Sequence, residues 1–244
     1  ESNISGLFGF LRWQQRRLDD AKQLFRTSID RRRMSAGGSQ SVPPLLYVMM
    51  GIVMADLGED PTESIATGIQ LATRATHRQS LINLYMTRAY WYTETGAYAA
   101  ALEDLVVVDA SAETLRAGVF SRLKFQTAMT HFCSGQWDAV ETTIQSWLEE
   151  GGGESKDRRS VFECSALMCI TYRLQNNNAL ADSFHTIATE QFQTLRFPAL
   201  KYVLDLCDWA AGGPEVMDAE ALKGIKGRLW LQHVGASIRA HLNA

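Results

Sequence analysis

Apolar positions along this chain recur with the spacing of helices, and they come in paired stretches. Alternation of apolar and polar residues over more than four positions is nearly absent, whereas stretches such as Leu81 to Thr95 and Arg122 to Ser134 have helical length and spacing. Each is followed by a turn residue and a second apolar stretch, Tyr98 to Val108 in one case and Trp137 to Leu148 in the other. The junction itself repeats. Gly96-Ala97-Tyr98-Ala99-Ala100-Ala101-Leu102 is matched by Gly135-Gln136-Trp137-Asp138-Ala139-Val140, and Arg16-Arg17-Leu18-Asp19-Asp20-Ala21 keeps the phrase without the glycine. Counted from the turn residue, the phrases begin at Arg16, Gly58, Gly96, Gly135 and, in degenerate form, near Asn177, at separations of 38 to 42 residues.

A chain that repeats one supersecondary unit is a solenoid, and two helices joined by a tight turn make an αα-hairpin. Small residues have a mechanical place in that plan. Ala89 and Ala128 on first helices, and Ala21 and Ala101 on second helices, sit where two backbones approach closely, while Tyr98 and Trp137 are expected to plug the space beside each turn. Asp60-Pro61-Thr62-Glu63 reads as a helix start, with further starts at Ser111 and Asp218. Loops are expected at residues 36–39, 151–153 and 212–214, and one last helix or broken pair from Ala219 to Leu242.

These residues resemble the tetratricopeptide repeat, with its Gly-x-aromatic-x-x-Ala segment, most clearly over residues 82–148, more loosely over 3–30 and 45–72, and weakly beyond 160. The period exceeds that family's usual length, about 34 residues, and the proline expected at the end of each repeat is missing. A period near 40 is similar to the helical repeats of MalT-like, LuxR-type transcription activators. The resemblance implies an all-α, right-handed superhelical solenoid of about five or six αα-hairpins over residues 1–244, a single domain closed by a C-terminal capping helix. It also implies a concave groove lined by first helices. Position by position, that groove draws on Phe10 and Trp13 in the first unit and on Val48 and Ile52 in the second. Asn83, Met86 and Tyr90 follow in the third, and Arg122, Phe125, Met129 and Phe132 in the fourth. The family's carboxylate clamp needs Lys and Asn where this chain has Gly6 and Phe10, so an acidic C-terminal tail is not the expected ligand. An aromatic and methionine-rich groove suits an amphipathic helix or an apolar ligand.

Composition narrows the classes. Hydrophobic residues at 46% and charged ones at 21% mark a folded chain, and a net charge of −3 argues against nucleic acid as a direct partner. The longest apolar run, Leu45 to Leu57, contains Asp56 and is shorter than the roughly 20 residues of a membrane span. The chain has no initiator Met and reads as a mature product or, in preference, as a domain excised from a larger protein, with a cytoplasmic setting expected. Cys133, Cys164, Cys169 and Cys207 form no Cys-x-x-Cys pair and are expected as free, buried thiols. The five histidines show no ligand spacing, and the Gly151-Gly152-Gly153 run lacks the Lys and Ser/Thr of a phosphate loop. No metal, cofactor or catalytic residue is expected. Arg12, Arg16, Arg17, Lys22, Arg26 and Arg31-Arg32-Arg33 make the N-terminal segment basic, and the last three suit a helix C-terminus.

The expected function is therefore a non-catalytic binding module that takes a protein partner, as a peptide or amphipathic helix, in an apolar groove. The alternative is the effector-sensing repeat region of a MalT-like signalling ATPase and activator, whose ligand would be a small-molecule effector.

Overall fold

A computed structural model describes residues 2–34, 42–111, 117–150, 157–195, 200–215 and 228–243, and among them every regular element is an α-helix. In chain order these are α1 (Ser2–Gln14), α2 (Leu18–Arg33), α3 (Pro44–Leu57), α4 (Thr62–Arg74), α5 (Arg78–Glu94) and α6 (Tyr98–Asp109). They are followed by α7 (Ala117–Cys133), α8 (Trp137–Glu150), α9 (Arg158–Leu174), α10 (Asn178–Leu195), α11 (Lys201–Ala210) and α12 (Arg228–Leu242). The loops expected at residues 36–39 and 151–153, the helix start at Asp218 and the 219–227 part of the expected capping helix lie outside the described residues.

The turns hold the helices in pairs. Arg16, Gly58, Gly96, Gly135 and Asn176 all have positive φ, between 58° and 81°, at or next to the turn residues read from the repeat. Each ends its helix with the same two backbone bonds. After α5, for example, Gly96 N–H donates to the Thr93 carbonyl at 3.2 Å and Ala97 N–H donates to the Tyr92 carbonyl at 2.8 Å, the second bond spanning five residues. Thr76, between α4 and α5, and Gly212, after α11, close in the same way. Thr76 has no glycine or asparagine to announce it, which is why the repeat pattern passes over it. At the start of α4, Asp60 accepts from Thr62 N–H at 2.8 Å, and hydrogen bonding from the Thr62 side chain, with this backbone bond second, holds its carboxyl below the usual range.

The chain divides into two compact units, Glu1–Val108 and Asp109–Ala244. In the first, α1 packs on α2, α2 on α3, α3 on α4 and α4 on α5, and α3 also touches both α1 and α5. In the second, the order α7, α8, α9, α10, α11 is packed neighbour on neighbour, and α9 also touches both α7 and α11. Contacts to the next helix and the next but one are what stacked hairpins produce. Each unit has its own core. Phe25, Val53, Ile65 and Leu84 belong to the first, and Ile144, Trp147, Phe162 and Leu167 to the second.

Small residues sit seven positions before each of the five hairpin turns: Gly9, Gly51, Ala89, Ala128 and Cys169, all buried. A Cβ on Gly51 would lie 2.9 Å from Ile65 Cγ1 on α4, and one on Gly9 would lie 2.9 Å from Phe25 Cε1 on α2. Both are closer than side chains pack, so each first helix lies against its partner through a position with little or no side chain. Trp137 departs from its expected role as a deep plug. It is half-buried at the edge of the second core, and the fully covered tryptophan of α8 is Trp147. All four cysteines are free thiols; Cys164, Cys169 and Cys207 are buried and Cys133 is partly covered.

Two glycines test this packing with opposite signs. In α4, a Cβ on Gly68 would lie 2.7 Å from Tyr47 Cβ and 2.8 Å from Leu84 Cδ2, whereas one on Gly118 in α7 would meet nothing within 4 Å. Gly→Ala gains about 1 kcal/mol of helix propensity at either site, but overpacking at Gly68 costs roughly 1–3 kcal/mol. Urea midpoints should therefore fall for Gly68→Ala and rise for Gly118→Ala. Equal gains for both variants would show that α3, α4 and α5 do not meet at Gly68.

Candidate partner-binding surfaces

The residues expected to line the groove divide by exposure. In the first unit Phe10 is 39% exposed, Asn83 and Tyr90 are half-buried, and Trp13 and Met86 are buried. In the second, Arg122 is exposed, Phe125 is half-buried, and Met129 and Phe132 are buried in the core with Phe162 and Leu167. Arg122, Phe125, Met129 and Phe132 follow one another at steps of three, four and three, which puts them along one side of α7. The first two, Arg122 and Phe125, carry the accessible surface. Trp13, Met86, Met129 and Phe132 thus offer a partner nothing while these helices keep their packing. The second-unit positions Val48 and Ile52 are buried and half-buried, respectively.

Trp13 has a structural task that its sequence position did not announce. Its indole Nε1–H donates to Asp56 Oδ2 on α3 at 2.9 Å, and Arg16 Nη1 donates to the same oxygen at 3.0 Å. Asp56 is only 7% exposed, so these bonds satisfy a carboxylate that burial would otherwise penalise. Lys22 on α2 pairs with Glu59, just after α3, at 2.5 Å and ties the same two hairpins together at the rim. A second buried carboxylate, Asp104 on α6, receives two bonds from Arg88 on α5, at 2.7 and 2.6 Å. The Arg88 guanidinium lies between the rings of Tyr85 and Tyr92, 5.3 and 5.8 Å from their centroids. Both sites use polar chemistry to join helices. Neither points into open space.

The second unit has a feature the sequence did not show. Helix α12 packs on α11 and also reaches α7 and α9, so it runs across the first helices of the unit's hairpins. Val234 and Ile238, four residues apart, are fully buried by that contact. Arg239 lies over the Trp209 ring on α11 at 5.7 Å and is ion-paired with Glu215. The sequence expected this helix as a cap on the last hairpin; it extends beyond that hairpin. A shallow, wide-mouthed depression of about 390 Å³ lies elsewhere, between the turn at Gly135 to Ala139 and Gln175, lined by Trp137 together with polar side chains. Among the described residues no group of three or more His, Cys, Asp or Glu side chains is placed to hold a metal ion, and no helix is long and apolar enough to cross a membrane.

Two predictions follow the electrostatics. Trp13→Phe keeps an aromatic side chain, though a smaller one, and removes the donor to buried Asp56, a loss that alone should cost about 1–3 kcal/mol; an unchanged urea midpoint would show that the indole bond contributes nothing. At the end of α5, burial pushes the Glu94 carboxyl up to about 8. The folded chain then holds a proton that the unfolded chain releases near the ordinary value of 4.5. That contribution to stability is present at low pH and is lost as pH rises through about 8. Relative to the native chain, Glu94→Gln should gain stability between pH 5 and 8, measured by denaturation at matched ionic strength, and a constant difference would refute it.

Compared with protein-family profiles, with curated proteins and with solved structures, the chain matches none, so its hairpin repeat and the faces described above stand on its own residues.

Proposed function

We propose that this chain is a non-catalytic binding module, a tetratricopeptide-like right-handed solenoid whose first-helix faces take an amphipathic helix or extended peptide from a protein partner. One observation supports this reading above the others. In the second unit the face made by α7, α9 and α11 already bears an amphipathic helix, the chain's own α12, seated through Val234 and Ile238. A face that seats one helix has the width and apolar character to seat another of the same kind. The residues that carry accessible surface, Phe10, Asn83 and Tyr90 in the first unit and Arg122 and Phe125 in the second, are the contacts we assign to the partner. Phe125 and Tyr90 are the aromatic anchors, because large rigid rings give the most contact for the least lost rotamer freedom. Arg122 is exposed along its side chain, yet the surrounding protein lowers its pKa by desolvation, as in a recess.

A photo-crosslinking side chain placed at Tyr90, at Phe125 and, as a control, at exposed Leu180 on α10 tests the assignment. The expected result is a polypeptide adduct from the first two positions and none from the third. Tyr90→Ala and Phe125→Ala should each weaken capture of that polypeptide by about 2 kcal/mol or more, with smaller effects on the urea midpoint than Trp147→Ala. A small molecule that co-purifies with the chain, together with no polypeptide adduct at either position, would instead establish effector sensing and sink the proposal.

A further inference from the structure

Helix α1 carries apolar residues on two sides, and only one of them is used. Gly9 and Trp13 face the hairpin interior, where Gly9 meets Phe25 and Trp13 meets Asp56. On the other side Ile4, Leu7, Phe8 and Leu11 follow at steps of three, one and three, and are 56%, 63%, 50% and 45% exposed. Four bulky apolar residues on one stripe of one helix make a continuous patch, and isolated chains rarely leave such patches uncovered.

The repeat says what belongs there. Counted back from the left-handed turn residue, Ile4 has the same place on α1 as Leu46 on α3, Leu84 on α5 and Cys164 on α9. Leu11 has the same place as Val53 and Thr171. Leu84, Val53, Cys164 and Thr171 are buried, and Leu46 is half-buried. The preceding hairpin covers them in the first unit: Leu46 lies against Gly6 on α1, and Leu84 lies against Gly68 on α4. In the second unit α8 packs on α9 in the corresponding place. The stripe on α1 is therefore built in the register that elsewhere receives a helix.

Charge narrows the occupant. Of the eight Arg and Lys in residues 1–34, Arg16, Arg17 and Lys22 pair with Asp56, Asp20 and Glu59, while Arg12 and Arg31 lie beside the stripe. Arg12 borders the stripe on α1, and Arg31 reaches from α2 to Ser5 at 3.5 Å along the same border. An occupant with carboxylates beside its apolar stripe would meet these guanidiniums. The chain supplies an example of such a helix in α8, whose segment Trp137–Glu150 carries Asp138, Glu141, Glu149 and Glu150 and no basic residue.

We propose that the Ile4–Leu7–Phe8–Leu11 face of α1 is a docking surface for an acidic amphipathic helix of a partner protein, seated as a preceding hairpin's helix seats on α3 and α5. The stripe does not include Phe10, the α1 residue assigned to the partner above, and the proposal does not depend on that assignment.

The test uses the full chain and a synthetic helix-stapled peptide with the sequence of residues 137–150. Methyl NMR should show shifts at Ile4, Leu7 and Leu11 on titration, and weaker binding as salt is raised. Leu7→Asp and Leu11→Asp should weaken binding at least about tenfold, while Leu180→Asp, at an exposed position on α10, leaves it unchanged. A peptide with its four acidic residues replaced by Lys should bind no better than the Leu7→Asp variant binds the original. Because Leu7 and Leu11 are exposed, these variants should keep the native urea midpoint, which separates lost docking from lost folding. Absence of methyl shifts at millimolar peptide would overturn the proposal. So would a concentration-dependent dimer in sedimentation that Leu7→Asp abolishes, which would assign the face to a second copy. Flotation of the full chain with vesicles of anionic phospholipid, lost in Leu7→Asp, would assign it to a membrane surface and would equally overturn it.

Discussion

The left-handed turn that ends each first helix is the constraint from which the rest of this structure follows. At Arg16, Gly58, Gly96, Gly135 and Asn176 one residue reverses the chain, and two backbone bonds, spanning three and five residues, fix where the helix stops. Once the stop is fixed, the register of both helices in the hairpin is fixed as well. The position seven residues earlier must then be small, because the second helix passes over it: Ile65 over Gly51, Phe25 over Gly9. A non-glycine residue in this conformation costs roughly 1–2 kcal/mol, and the chain bears that at Arg16, Thr76 and Asn176. Asparagine tolerates the conformation through its short side chain, and the Arg16 guanidinium bonds Asp56. At Thr76 the hydroxyl donates to the Ala75 carbonyl at 2.8 Å. In all three the strain persists because the two backbone bonds determine the turn more strongly than the side chain resists it.

Polar groups then settle what apolar packing leaves undecided. Helices that meet through Val, Leu and Ala can slide by a turn at modest cost, since apolar contact is non-directional. A buried carboxylate cannot slide away from its donors. Asp56 holds Trp13 and Arg16 of the first hairpin, and Asp104 holds Arg88 between two tyrosine rings. Buried ion pairs add little net stability once desolvation is counted. Their effect here is on register, which for stacked hairpins decides which side chains face out.

How far the sequence could be read follows from the same division. Turn positions were legible because glycine, asparagine and a fixed offset to a small residue leave a direct mark. Ala21, Ala89, Ala101 and Ala128 are all fully buried where the repeat placed them. Thr76 was not legible, because nothing in Arg74-Ala75-Thr76-His77 distinguishes a strained turn from an exposed helix end. Depth of burial was only half legible. Helical spacing puts Met86, Met129 and Phe132 on a face, but the distance to the neighbouring first helix decides whether that face is open, and no residue encodes that distance alone. Trp137 and Trp147 illustrate the point, since both fit an apolar stripe and only the second lies under a neighbouring helix. The reach of α12 across α7 and α9 depends on tertiary contacts between segments about a hundred residues apart, which leave no periodic signal in the chain.

A repeat whose interior is fixed so tightly leaves its recognition chemistry to the positions the turns do not specify. Along α1 the interior residues Gly9 and Trp13 are buried under neighbouring helices, while Leu7, Phe8 and Phe10 keep solvent-facing surface and are apolar all the same. Along α7, Met129 and Phe132 are drawn into the core, while Arg122 and Phe125 keep solvent-facing surface. Helix formation alone does not ask for a bulky apolar side chain at an exposed site, where a straight-chain polar residue has equal or better propensity and greater solubility. A scattered exposed leucine would carry no meaning. Ile4, Leu7, Phe8 and Leu11 are aligned on one stripe, and the register partners of Ile4 and Leu11, Leu84 and Val53, are buried; that alignment distinguishes a surface built for contact from a surface merely left exposed.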